Sequence, residues 1–149
     1  MKKLTKILSV IVVVALLFSA IALVACQKKT YVQQTDTAVI FTIDKDIMPD
    51  CTGKHLIDYL KALQEKGQIT YSAEDKGSYS MLMSVNNLTA DATQGEYWFI
   101  YADDEENTTA TWGEYEYEGK KYYSTNFGID DMPIKEGVTF IFMVSKYSA

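Results

Sequence analysis

The chain has 149 residues, with 14 lysines, no arginine and 20 acidic residues, and a formal net charge of −6. Nucleic-acid and phosphate sites lean on the planar guanidinium fork, so an acidic, arginine-free chain is a poor fit to either. One histidine and two cysteines leave little material for a metal cage or for a base paired with a nucleophile.

The chain opens with Lys2, Lys3 and Lys6, followed by an almost unbroken apolar run over residues 7–25 and then polar Gln27-Lys28-Lys29. A basic start, a greasy stretch and small residues before a cut site mark a secretory signal. The apolar run is 19 residues long, close to the roughly 20 needed to span a bilayer. An uncleaved anchor is therefore the rival reading, and a secreted form without lipid a third. Ala25 directly before Cys26 favours cleavage. The tetrapeptide Leu23-Val24-Ala25-Cys26 resembles the lipobox of bacterial lipoproteins. That resemblance implies a thioether-linked lipid on Cys26, a mature chain starting at Cys26, and mooring to the outer face of a bacterial plasma membrane. The expected organisation is a signal peptide over 1–25, a lipidated tether over 26–36 and one domain over 37–149. The leader takes three lysines and no acid, so the rest carries 11 lysines against 20 acids, net −9. An anionic membrane surface repels such a body, which leaves the lipid to hold it there. Residues 27–36 are polar without a helical apolar face and read as a flexible tether. With Cys26 acylated, Cys51 has no disulfide partner. It reads as a small buried residue, with a reactive thiol as the alternative.

Residues 37–43 alternate, with Val39, Phe41 and Ile43 on one face, as a strand does. After a break at Asp44–Asp50, Thr52 is placed to cap a helix over 53–66. Leu56, Ile57, Leu60 and Leu63 form its apolar stripe and Gly67 its stop. A short strand over 68–72 and a turn at Asp75-Lys76-Gly77 follow. Residues 79–85 form the next strand, with Tyr79, Met81, Met83 and Val85 facing one way, and Asn86-Asn87 turns the chain. Residues 97–102 are apolar on both faces, as expected of a central strand. Beyond an acidic loop over 103–107, residues 112–118 alternate, Tyr115 and Tyr117 on one face and Glu114, Glu116 and Glu118 on the other. Glu118-Gly119-Lys120 makes a hairpin into 121–125, and 138–144 is the last strand, with Val138, Phe140, Phe142 and Val144 aligned. One helix and six or seven strands predict an α+β domain, with the helix packed across one face of a mixed sheet in a β-grasp-like arrangement.

The order of motifs is distinctive. Thr52-Gly53-Lys54-His55-Leu56-Ile57-Asp58-Tyr59-Leu60 is followed by Ser84-Val85-Asn86-Asn87-Leu88, then Tyr97-Trp98-Phe99-Ile100-Tyr101. Gly128-Ile129-Asp130-Asp131-Met132-Pro133-Ile134-Lys135-Glu136-Gly137 precedes the last strand. Across residues 37–147 this is similar to the bacterial family related to the C-terminal domain of transcobalamin, whose members are often lipoproteins or surface proteins of Gram-positive bacteria. The resemblance implies the fold, and raises a corrinoid (cobalamin) as candidate ligand, although the helical barrel that accompanies this domain in transcobalamin has no counterpart here. The sequence departs from the family pattern at three turns. Asn86-Asn87 stands for Asn-Gly, Gly137-Val138 stands for Gly-Asp, and Asp103-Asp104-Glu105-Glu106 with a long hairpin replaces an Asn-Gly turn.

Eight tyrosines and tryptophans crowd into 97–123. Flat rings with polar tips suit a corrin, a sugar or an aromatic ligand, and Trp98, Tyr101, Trp112, Tyr115 and Tyr117 are the candidate ligand-binding residues. The competing reading makes Trp98 core and the tyrosines the cover of a two-sided sheet. His55 has no ligand partner at metal spacing. The acidic runs at 44–50 and 103–106 lack the glycine and distal glutamate of a calcium loop and read as solvated turns. With no positioned acid–base pair, no phosphate-cradling loop and no nucleophile set, the expectation is a non-enzyme. It is a membrane-anchored extracellular module that captures a small molecule, cobalamin among the candidates, for an uptake system. The alternative is a surface module that binds a protein partner through a sheet edge or the 112–125 hairpin.

Overall fold

Strict alternation over Ala38–Thr42 buries Val39 and Phe41 on one side and Ala38 and Ile40 on the other, which only a strand deep inside a sheet can do. In the computed structural model, which describes residues 29–146, this strand is β2. It is preceded by β1 (Val32–Gln34) and followed by helix α1 (Leu56–Glu65). Then come β3 (Tyr71–Asp75), β4 (Ser80–Val85), β5 (Leu88–Thr89), a single 3-10 turn (Ala92–Gln94), β6 (Glu96–Ala102), β7 (Thr108–Tyr117), β8 (Lys120–Thr125) and β9 (Thr139–Lys146). The expected signal peptide over 1–25 and the expected lipid site Cys26 lie outside the described residues. Residues 31–34, expected in the flexible tether, are instead ordered chain: β1 pairs with β2, Val32 opposite Phe41, because the edge of so apolar a strand needs a partner.

Two sheets form. The larger runs β1-β2-β9-β6-β8-β7, the smaller β3-β4-β5. Every pairing is antiparallel, which corrects the expected mixed sheet. The physical cause is connectivity. A parallel neighbour needs a long crossover, whereas β3–β4 and β7–β8 are joined by tight turns that can only reverse the chain. The β7–β8 turn has positive φ at both Glu118 (50°) and Gly119 (76°), the conformation that matches the twist of a two-residue hairpin.

Helix α1 lies over one face of the larger sheet. Leu56, Tyr59, Leu60 and Leu63 are fully buried among Val39, Phe41, Phe140, Phe142 and Ala102, each contributing roughly 1.5–3 kcal/mol. The helix starts at Leu56, three residues later than expected. His55 rather than Thr52 is the N-cap, and its N–H is accepted by Asp58 Oδ2 at 3.1 Å. The next two donors are met by the 128–134 segment: Leu56 N–H donates to the Met132 carbonyl and Ile57 N–H to that of Ile129, both at 2.9 Å. Ile129, Met132 and Ile134 fill the space beneath.

In β4 the expected face is wrong. Leu82 and Val85 are buried, while Tyr79, Met81 and Met83 are exposed. Ala73 opposes Leu82 but its neighbour Ser72 opposes Ser84, so Met83 is one extra residue in the ladder. That bulge switches the side on which the following residues point.

Candidate functional site

The two faces of the larger sheet separate the five candidate aromatics. Along β6, Trp98, Ile100 and Ala102 point to the helix side and Phe99 and Tyr101 to the opposite side. On that opposite side a second, smaller core forms. Tyr101 and Tyr122 are buried there with Ala38, Ile40 and Ile141, and Tyr115 and Tyr117 are half-buried against them. The Tyr101 ring lies 5.8 Å from Tyr115 and 6.5 Å from Phe99.

The β7–β8 hairpin is what covers this face. β8 pairs with β6 only at Tyr101 and Ala102, so the rest of the hairpin is free to fold inward. Its tip reaches the far edge of the sheet, where Tyr117 Oη donates to Gln33 Oε1 on β1 at 3.0 Å. Tyr101, Tyr115 and Tyr117 are thus structural, holding the hairpin down. Burial pushes the Tyr101 phenol above its ordinary pKa, with Tyr115 adding to the effect.

Trp112 has a different fate. Thr109 opposes Ser124 and Glu114 opposes Tyr123, neighbours on β8, so residues 110–113 loop out of the ladder. Gly113 closes this bulge at φ 132°, with its Cα facing the Tyr101 ring; a Cβ there would lie 3.7 Å from Tyr101 Oη. The bulge throws Trp112 into solvent, 72% exposed.

Trp98 and Trp112 both line one groove of ≈ 410 Å³ beside the free side of β6, with Phe99, Ser124, Asn126 and Phe127. The Trp98 indole is fixed by its Nε1–H, which donates to the Met83 carbonyl at 3.3 Å. Phe127, at the groove's lip, is 45% exposed. Phe127 was missed in the sequence because it follows the last alternating residue and carries no periodic signal; its neighbour Gly128 was the only hint.

A second hollow, also ≈ 410 Å³, lies beside Cys51, lined by Lys45, Met48, Asp50 and Glu136. Lys45 and Glu136 pair at 3.0 Å. Burial, helped by Asp50 and Glu136, raises the Cys51 pKa, the reverse of what an activated thiol requires. The His55 backbone caps α1 and bridges to Pro133.

The acidic run after β6 is solvated only in its second half: Glu105 and Glu106 are exposed, while Asp103 and Asp104 turn inward. Asp104 is 5% exposed and accepts from Asn107 Nδ2 at 2.7 Å and from the Glu106 N–H at 3.2 Å, with Lys135 at 3.6 Å. Asp103 accepts from the Thr139 N–H at 2.7 Å and from Lys120 Nζ at 2.5 Å. These carboxylates tie the start of β9 to the end of β6. Among the described residues no group of three or more His, Cys, Asp or Glu is arranged to hold a metal ion, and no helix is long and apolar enough to cross a membrane.

No protein-family model matches the chain, and neither the search of curated proteins nor that of solved structures found a match.

Proposed function

We propose that this protein is a lipid-anchored extracellular binding module, without catalytic activity, that captures a small molecule in the groove between Trp98 and Trp112. One observation carries the reading. Two large apolar side chains, Trp112 and Phe127, stand exposed along a shallow, open hollow that the tethered Trp98 indole also lines. Exposing such surface is costly unless something covers it. The leader ending at Ala25-Cys26 supplies the anchor, with lipid on Cys26 and the body facing outward from a bacterial plasma membrane. An uptake system is the natural recipient of a ligand caught there.

The likeness to transcobalamin's C-terminal domain and to the β-grasp fold is part of this proposal. It draws on the order of motifs and on the helix laid across the sheet, and it keeps cobalamin among the ligands to test. Of the five aromatics expected at a site, the reading retains Trp98 and Trp112.

Two measurements test it. Mass spectrometry of the membrane-extracted protein should find a diacylglyceryl-modified Cys26 at the N-terminus; an intact leader or an unmodified thiol there would remove the anchor. Thermal unfolding of the same protein against a small-molecule panel that includes cyanocobalamin should reveal stabilisation that is lost in Trp112→Ala. Stabilisation unaffected by that change would place the site elsewhere, and an unchanged cobalamin spectrum would strike out the corrinoid.

A surface module for a protein partner is the second reading. It is favoured by the exposed Tyr79, just before β4, and the exposed Met81 and Met83 on it.

A further inference from the structure

The chemistry of the groove narrows its ligand. Of the side chains that line it, none is ionisable, in a chain whose acids outnumber its lysines by 20 to 14. A charged ligand would find no counter-ion there, and an anion would meet the repulsion of the whole body. What the groove offers is of two kinds. Trp98, Trp112 and Phe127 present flat apolar surface, and Ser124 and Asn126 present a hydroxyl and an amide. Neither of these polar side chains is engaged in a hydrogen bond within the described structure. Thr125, between them, is engaged: its Oγ1–H donates to the Phe127 carbonyl at 3.0 Å, which shapes the 125–128 bend forming one wall.

The strand edge adds backbone groups. β6 is paired with β9 along its whole length, but on its other side β8 accompanies it only at Tyr101 and Ala102. Residues 96–100 therefore have no partner strand on that side, and at 98–100 the N–H and C=O groups that alternate away from β9 face the groove. Donors and acceptors at the edge, stacking surface to either side and no charge define the class of ligand.

We infer that the groove binds a neutral saccharide, one or two pyranose units of a longer uncharged glycan. A pyranose has an apolar face of ring C–H groups that lies on an indole, and a rim of hydroxyls that both donate and accept. An extended peptide adding to β6 is the competing occupant. The side of β6 without a partner runs over residues 96–100, long enough to take a short strand, so calorimetry has to separate the two occupants. This inference rests on the binding-module reading above and specifies its ligand.

The experiment uses the full chain, solubilised in a detergent without sugar headgroups. Calorimetric titration would compare neutral hexasaccharides (cellohexaose, chitohexaose and maltohexaose) with an oligogalacturonate, cyanocobalamin and an alternating apolar decapeptide. At least one neutral hexasaccharide should bind saturably, and the oligogalacturonate should not. Affinity should fall about tenfold in Trp112→Ala, whose exposed side chain can be removed without disturbing the core, and stay unchanged in Tyr79→Ala, whose side chain does not line the groove. If cyanocobalamin binds through Trp112 and no saccharide does, the inference fails and the binding module stands. If only the decapeptide binds, or nothing does, both fail. Saccharide binding that survives Trp112→Ala also overturns the inference, because the site then lies outside the groove.

Discussion

Tyr59 carries its hydroxyl into the main core, where it donates to the Thr42 carbonyl and accepts from the Asp44 N–H, both at 3.0 Å. Its ring stacks on Phe41 at 5.8 Å. The pair of bonds closes the end of β2 onto the helix. Tyr59→Phe keeps the ring and leaves a buried carbonyl and amide short of a partner. The expected loss is about 1–3 kcal/mol in urea unfolding. Burial pushes the phenol up to about 12, from an ordinary value of 10.0. The folded chain thus holds this proton where the unfolded chain releases it. The associated stability is complete below pH 10 and is lost as pH rises towards 12. Its size is about 2 kcal/mol. Stability curves of the parent and Tyr59→Phe should therefore converge between pH 10 and 12; parallel curves would refute the assignment. The sequence stripe of Leu56, Ile57, Leu60 and Leu63 left Tyr59 out, yet Tyr59 and not Ile57 is among the fully buried helix residues, because a buried acceptor for its hydroxyl is set by β2 and not by the helix pattern.

The β7–β8 hairpin shows the same limit at the scale of an element. Alternation of Tyr115 and Tyr117 with glutamates correctly marked a strand with one apolar face, and Glu118-Gly119 marked its turn. Alternation says that a face is covered, not by what. Here the hairpin covers itself by folding onto Ile40, Ile141 and Tyr101, secured at its tip by Tyr117 and Gln33. Gln33→Ala should speed amide exchange of Tyr115, Tyr117 and Tyr122 severalfold and leave Val39–Phe41 protected, because the main core does not depend on the hairpin. Adding Tyr117→Phe should change little more, since the bond is already gone; additive effects would mean that the two side chains act separately. In the sequence the Trp112 bulge leaves no mark beyond a glycine, Gly113, at the head of the alternating run. Its consequence, an indole thrown to the mouth of a groove, depends on where β8 leaves β6.

On the scale of the whole molecule, the order of the larger sheet places the two ends of the domain side by side. β2 and β9 are neighbours through five residue pairs, from Ala38–Met143 to Thr42–Thr139. β1 then protects the outer edge of β2. Deleting residues 31–34 should cost about 2 kcal/mol of stability. It should also produce concentration-dependent self-association in sedimentation, because an apolar strand would become a naked edge. A monomer of unchanged stability would show that β1 is dispensable. Residues of β1 could not be recognised in advance: Val32 is the only apolar residue of the strand, and what makes it a strand is the edge it meets.

Among the described residues, local pattern alone determined the helix, most of the strands and the tight β7–β8 turn, because periodicity and glycine chemistry act within a few residues of chain. Three-dimensional packing decided the rest. Strand direction, the bulges at Met83 and 110–113, the buried role of Asp104 and the division of the aromatics between a second core and a groove all arise from contacts between segments far apart in sequence. The free energies that select those contacts belong to neither segment by itself.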